Sequence, residues 1–188
     1  MKKHLSAILI ATIIASTLPT IAQQPRAAST GGKSPHETTS TVIDQNRVTI
    51  TYGRPYTKDP KTGEPRKIWG GLVPYGKSWR MGADEATLLI TQQPMAIGET
   101  TIPAGAYTLY MVPEENGAAK LVFSKKIGQW GVPVDEKNDL ARVDLKKDTS
   151  DKAVDQFTMA VEKNPAGGGL IKLMWENTQY TVAFTGKK

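Results

Sequence analysis

The chain of 188 residues contains no cysteine. This absence excludes disulfides, thiol nucleophiles and thiolate metal ligands. A domain of roughly 150 residues can bury enough apolar surface to be stable without crosslinks, so the missing disulfides do not argue against an exported protein.

Histidine is nearly as scarce, since the chain has only His4 and His36. Both precede the first predicted strand, and we therefore predict a folded domain without histidine. This prediction excludes a Ser-His-Asp triad and transition-metal sites built on imidazole. The densest acidic group, residues 135–139, has Lys137 inside it and lacks the ligand spacing of calcium loops. The sequence predicts no metal site and no cofactor.

Long hydrophobic runs are absent beyond the N-terminus. A basic start, Met1–His4, precedes an uncharged apolar run, Leu5–Leu18, and small residues follow at Pro19–Ala22. This order is typical of a secretory signal peptide. The apolar run is too short for a membrane-spanning helix, which needs ~20 residues, so an uncleaved anchor is the less favoured alternative. We predict that residues 1–22 are removed and that the mature chain is exported to the periplasm or the medium, without a transmembrane span.

Residues 23–37 are polar and rich in Pro, Gly and Ser, which predicts a flexible lead before one β-rich domain at residues 38–186. The formal net charge is +6, but the lysines are scattered along the chain. Scattered charge indicates a solvated surface, and we expect no nucleic-acid partner. The sequence leaves the oligomeric state open.

Apolar and polar residues alternate with a period of two in most of the domain, which is the pattern of β-strands. The predicted strands are Val48–Tyr52, Leu88–Ile90, Tyr107–Val112, Leu121–Phe123, Leu140–Leu145, Phe157–Val161, Leu170–Trp175 and Tyr180–Phe184. Turn-forming residues separate them at Asp44–Asn46, Pro103–Gly105, Asn116–Gly117, Pro165–Gly169 and Glu176–Thr178. The pattern predicts an all-β fold, an antiparallel β-sandwich or partly open barrel of about 8–10 strands with long connecting loops.

Two aromatic segments, residues 53–85 and 125–139, interrupt the alternation. Flat rings combined with guanidinium groups suit the recognition of sugars, peptides or anions. The alternative, favoured for each tryptophan taken singly, is that Trp69 and Trp79 belong to the core, because large aromatic side chains are mostly buried. The candidate binding residues are Arg54, Arg66, Trp69, Tyr75, Trp79, Arg80, Asp84, Glu85 and Trp130.

The adjacent acids Asp84 and Glu85 are considered separately, because a glycosidase needs two carboxylates across one sugar. Neighbouring residues of an extended chain point to opposite faces, so each would need a distant partner, for example Glu99, Asp135 or Glu176. An ion pair with Arg80 that braces the loop is the favoured alternative, because structural ion pairs are common. No catalytic residue is predicted.

Several segments of the chain carry a family resemblance. They are Thr51–Pro55, Lys67–Lys77, Trp79–Arg80, Gly82–Thr87, Ile102–Leu109, Gln129–Gly131 and Leu173–Glu176. In this order they resemble a bacterial family of exported proteins, the domain of unknown function 2911, over roughly residues 38–185. The resemblance implies an exported β-rich domain, and it brings no established activity or catalytic residues. The stretch Thr57–Pro65 is longer than the usual link between the first two motifs.

Three functions remain open at this point. The leading hypothesis is an exported binding module for a glycan, peptide or small molecule, which would use the Arg/Trp/Tyr segment. The alternatives are a carboxylate-dependent glycan hydrolase and a structural or interaction protein of the cell envelope. The sequence favours a role without catalysis.

Overall fold

The computed structural model describes residues 34–187, so the predicted signal peptide and most of the predicted lead lie outside the described residues. Nine strands form the domain. They are β1 (His36–Ile43), β2 (Asn46–Gly53), β3 (Thr87–Thr91), β4 (Met95–Ile97), β5 (Thr100–Ile102), β6 (Gly105–Pro113), β7 (Ala119–Ser124), β8 (Asp139–Lys163) and β9 (Gly169–Gly186). Helix within residues 34–187 is limited to one 3₁₀ turn, Glu136–Asn138, and no helix there is long and apolar enough to cross a bilayer.

All strand pairings are antiparallel, in the order β1-β2-β3-β6-β7-β8-β9-β4-β5, and the sheet is not closed into a barrel. The predicted all-β class is confirmed. The long strand β8 joins the two halves of the sheet, because its beginning pairs with β7 up to Leu145 and its remainder pairs with β9 from Lys146.

The two halves face each other as the layers of a sandwich. The Tyr52 hydroxyl of β2 donates to the Met159 carbonyl of β8 at 3.2 Å and accepts from the Met159 amide at 2.8 Å. The Thr41 hydroxyl of β1 donates to the Val161 carbonyl at 2.6 Å. The core lies between these layers because one side chain in two points inward, as at Val48, Ile50 and Tyr52 of β2.

Two predicted boundaries in the half of the sheet formed by β8 and β9 are wrong. Residues 176–178 do not form the predicted turn, because β9 continues through them and bends at Glu176, whose φ is 51°. Residues 140–145 and 157–161 are not the predicted separate strands, because both belong to β8, whose register shifts between Thr149 and Thr158. Irregular pairing keeps these strands continuous where their composition is typical of a loop.

The predicted absence of histidine from the fold is also wrong. His36 is the first residue of β1, and its Nε2 lies 2.8 Å from Oε2 of Glu85. The Arg54 amide donates to the Pro35 carbonyl at 2.8 Å, so the chain is held in place before the strand begins. Ordered chain therefore reaches into residues 34–37, which composition alone assigns to the lead.

Residues 54–86, here called the long loop, connect β2 to β3 and are anchored on the core. The long loop buries the side chains of Ile68, Val73 and Met81. Trp79 pairs with Met111 of β6 through two backbone hydrogen bonds of 2.8 and 2.9 Å. This segment is therefore ordered by packing, although it contains no regular strand.

Candidate ligand-binding site

A pocket of about 360 Å³ lies between the long loop and Val132 of the connection between β7 and the 3₁₀ turn. We call this connection, residues 125–135, the second loop. The pocket is lined by Ser34, Pro55, Arg66, Leu72, Pro74, Ser78, Trp79, Arg80, Gly82, Ala83 and Val132. Three predicted binding residues, Arg66, Trp79 and Arg80, therefore meet at one concave surface, whose volume is in the range of small-molecule sites.

Trp79 connects the pocket to the core. Its side chain is 8% exposed and stacks on Trp175, with ring centroids 5.8 Å apart and an interplanar angle of 21°. Phe157 and Trp69 contact it edge-on at 5.0 and 6.4 Å. The expected core role of Trp79 and its place in the pocket wall are thus both observed, because the ring closes one end of the sandwich.

The wall at Gly82 and Ala83 is positioned by a close backbone contact. A Cβ atom on Gly53 would lie 2.1 Å from the Ala83 carbonyl oxygen, which only glycine avoids. The Ala83 amide donates to the Gly53 carbonyl at 3.3 Å. The loop therefore lies directly on the end of β2, and Met81 adopts a left-handed φ of 56° to reach this position.

Arg66 is half-buried and has few partners. Its Nη2 donates to the Tyr56 carbonyl, while its Nε is sealed from solvent without a hydrogen-bond acceptor. The Arg66 amide donates to the Thr57 carbonyl at 2.9 Å, which fixes the residue on the loop. The guanidinium group is therefore held at the pocket by a neutral carbonyl.

Arg80 is held by an aromatic ring. Its guanidinium carbon lies 5.6 Å from the centroid of Trp130, in the range of a cation–π contact. Burial lowers the pKa of Arg80, while the charges of Asp84 and Glu85 act in the opposite direction without reversing the shift. The charged form of Arg80 is therefore less stabilised by this environment than by water.

The half-buried cations of the described residues differ in whether they have an ion-pair partner. Arg54 pairs with Glu37 at 2.5 Å and Lys172 with Glu162 at 2.6 Å. Within residues 34–187, Arg66 and Arg80 are half-buried and have no carboxylate in ion-pair contact. Partly desolvated cations without a counter-charge are unfavourable, so a ligand anion would stabilise this pocket.

The remaining candidates lie elsewhere or act indirectly. Arg54 donates to the Phe157 carbonyl and the Thr158 hydroxyl at 3.2 and 2.7 Å, so it joins β2 to β8 outside the pocket. Tyr75 lies over Gly70, whose Cβ would approach its ring to 2.8 Å. Trp69 is partly buried against the core. Trp130 is 48% exposed, lies over the Arg80 guanidinium and lines the pocket along the second loop together with Val132.

The prediction that Asp84 or Glu85 forms an ion pair with Arg80 is wrong. Glu85 contacts His36, and Asp84 has a left-handed φ of 63° with Oδ2 buried and without a hydrogen bond. Both carboxylates act on Arg80 only through longer-range charge in the described part of the chain. The sequence does not reveal His36 as a competitor for Glu85, because composition places His36 in the lead.

Several pocket residues are not among the candidates that the sequence indicates. Leu72 and Val132 are 42% and 54% exposed and form an apolar rim, and the small residues Gly82 and Ala83 complete the wall. Exposed leucine and valine look like core residues in a sequence, so only the position of the loops identifies them. Their one signal in the sequence is their place within the two aromatic segments.

A second polar cluster lies beside the second loop. The Tyr110 hydroxyl donates to Oδ2 of Asp139 at 2.6 Å, and Nη2 of Arg142 donates to the same carboxylate oxygen at 2.7 Å and to Glu136 at 2.8 Å. Burial, followed by the hydrogen bond to Asp139, raises the pKa of Tyr110. Two acidic residues of the group 135–139, Glu136 and Asp139, thus bind an arginine and a tyrosine of their own chain, while Asp135 accepts from the Asn138 side chain at 2.9 Å.

Replacing Tyr110 by phenylalanine is expected to lower the free energy of unfolding by about 1–2 kcal/mol near neutral pH, because Asp139 loses a buried donor. The pKa of Tyr110 is higher in the folded chain than the unfolded value of about 10. The unfolded chain therefore loses this proton first, and the stability from Tyr110 declines as the pH rises above about 10.

Urea unfolding between pH 8 and 11 checks this prediction. The difference between the wild type and Tyr110→Phe should shrink at the alkaline end. The control is Tyr56→Phe, because Tyr56 is 40% exposed and should change stability little at any of these pH values. A constant difference across the range would contradict the assignment.

Comparison with known proteins gives one match. The family model described as Protein of unknown function (DUF2911) matches residues 34–184. No curated protein and no solved structure matches the chain. The matched residues include the whole pocket lining, from Ser34 to Val132.

Proposed function

The chain belongs to the DUF2911 family of proteins of unknown function, and we propose that it is an exported binding domain that takes a small-molecule ligand in the pocket between the long loop and the second loop. One observation carries this proposal. Two half-buried guanidinium groups, of Arg66 and Arg80, and the ring of Trp79 line a single concave surface. Apolar walls with a few convergent polar groups are typical of small-molecule sites.

The glycan hydrolase has no comparable support. Among residues 34–187, the lining of the pocket at Arg66 and Arg80 has no carboxylate, and a pocket of about 440 Å³ along the second loop has one, Asp135. Another at the β1–β2 turn has only Asp44. A glycosidase would need two carboxylates across one cleft, and none of these three pockets supplies that pair.

A fragment screen observed by NMR tests the proposal. Fragments of varied charge should include binders that shift the amide resonances of Gly82, Ala83 and Val132 and the indole resonance of Trp79. The β4–β5 hairpin, Met95–Ile102, should not respond, because it does not line the pocket. Binders that act only outside the pocket, or no binders at all, would overturn the proposal.

A matched pair of variants locates the binding. Val132→Trp adds bulk at the pocket rim and should weaken every pocket binder. Ile127→Trp adds similar bulk at a comparably exposed position of the second loop that does not line the pocket, and should leave binding unchanged. Equal effects of both variants would argue against this site.

An interaction role in the cell envelope is the second candidate. Ile127, Trp130 and Val132 are 50%, 48% and 54% exposed on the second loop. If these side chains form one continuous apolar patch, the patch would be typical of an interaction surface. Resonances of these residues that broaden with protein concentration, without any ligand response at Trp79, would favour this second candidate over the binding domain.

A further inference from the structure

The charges around the pocket restrict the ligand to one chemical class. Among the residues that the structure describes, the lining contains two arginines and no acidic residue. Asp84 and Glu85 lie near enough to influence Arg80, but burial outweighs them and lowers the pKa of Arg80. A neutral or cationic ligand would leave these partly desolvated charges uncompensated, whereas an anion would provide charge-assisted hydrogen bonds.

The rest of the lining is largely apolar and would suit the body of such a ligand. Leu72 and Val132 are exposed at the rim, and the Trp79 ring lies at the wall with Pro55 and Pro74. An inorganic anion would contact only the guanidinium groups and would leave this apolar surface in water. Burial of apolar ligand surface stabilises a complex, so a ligand with an apolar body would bind more tightly.

Resting on the proposed function, we infer that the pocket binds an organic acid, whose anionic group contacts Arg66 and Arg80 and whose apolar body lies against Leu72, Trp79 and Val132. The Trp130 ring keeps the Arg80 guanidinium in position through its cation–π contact. The Tyr56 carbonyl does the same for Arg66. Both guanidinium groups are thus oriented by neutral groups, so their charges remain available to interact with the ligand.

Calorimetric titration with four probes tests the inference on the mature chain. Phenylacetate carries both required features, phenylacetamide lacks the charge, acetate lacks the apolar body, and benzyl phosphate has a different anionic group. Phenylacetate should bind at least about tenfold more tightly than phenylacetamide, because one charged hydrogen bond is worth about that factor. It should also bind at least about tenfold more tightly than acetate, which lacks the apolar surface whose burial stabilises the complex. Its affinity should fall as sodium chloride is raised, while that of the amide should not.

Arginine variants connect the effect to the site. Arg66→Gln and Arg80→Gln should each weaken phenylacetate binding about tenfold and leave phenylacetamide binding unchanged. The matched control is Arg47→Gln, because Arg47 is exposed on β2 and does not line the pocket. Benzyl phosphate separates the two kinds of acid: binding at least as tight as that of phenylacetate assigns a phosphate ester, and weaker binding assigns a carboxylate.

Failure of the organic-acid inference and failure of the proposed function give different results. Equal affinities for phenylacetate and phenylacetamide, with resonance shifts still at Trp79 and Ala83, would overturn the organic acid and leave the binding domain standing. The same holds if both arginine variants keep the wild-type preference for the acid. If neither these probes nor neutral fragments bind the pocket, the proposed function fails, and the inference fails with it.

Discussion

Replacing Trp175 by alanine should lower the free energy of unfolding by about 3–5 kcal/mol, the largest stability effect expected for this protein. Trp175 is fully buried on β9 and packs against Trp79 and Phe157, with ring centroids at 5.8 and 5.6 Å. Its removal would leave a cavity in the aromatic cluster that joins both layers to the long loop. Urea or thermal unfolding of the protein measures the effect.

The matched control is Trp130→Ala. Trp130 is 48% exposed, and its one ring contact is with Arg80 among the residues that the structure describes. Its loss should reduce stability by less than about 1 kcal/mol. If the two substitutions destabilise the protein equally, the aromatic cluster is not the centre of the core.

Replacing Gly53 by alanine should destabilise the protein by about 1–3 kcal/mol and weaken pocket binding as well. The new methyl group would lie 2.1 Å from the Ala83 carbonyl oxygen, and a backbone atom cannot move aside as a flexible side chain can. The long loop would have to lift from the end of β2. Since Gly82 and Ala83 line the pocket, its shape would change with the same movement.

Gly63→Ala provides the comparison for this substitution. Gly63 has a φ of 76°, and a methyl group on its Cα would have no other atom within 4 Å, so the replacement meets strain of about 1–2 kcal/mol without a clash. Unfolding curves should show a loss of stability in both variants, but only Gly53→Ala should change the resonances of Ala83 and the affinity of fragments. Unchanged binding in Gly53→Ala would show that the close contact does not shape the pocket.

The strands could be predicted because their side chains alternate between core and solvent. Val48, Ile50 and Tyr52 are buried while Arg47 is exposed, in agreement with the sequence pattern. The continuity of β8 and β9 could not be predicted in the same way. Glu176 and its neighbours have the composition of a turn, and Glu176 has a left-handed φ. Only their irregular pairing with β8 keeps β9 continuous through them.

The sequence identified the arginines as candidate binding residues, but it did not show which contacts each of them makes. Arg54 and Arg80 both lie in the aromatic segment of the sequence, yet Arg54 meets Glu37 because β1 pairs with β2, while Arg80 meets an indole ring. These partners depend on contacts between residues that are far apart in the chain, and a single sequence does not show such contacts. His36 shows the same limit, because its partner Glu85 lies 49 residues away.

Under the proposed function, the stacking of Trp79 on Trp175 means that ligand recognition and folding share one pair of rings. A change at Trp79 would disturb both properties together, whereas Leu72 and Val132 stand at the mouth of the pocket and contribute little to the core. Chains of this design could therefore acquire new ligand preferences by exchanging the two rim residues, while the indole beneath them stays fixed by the demands of the sandwich.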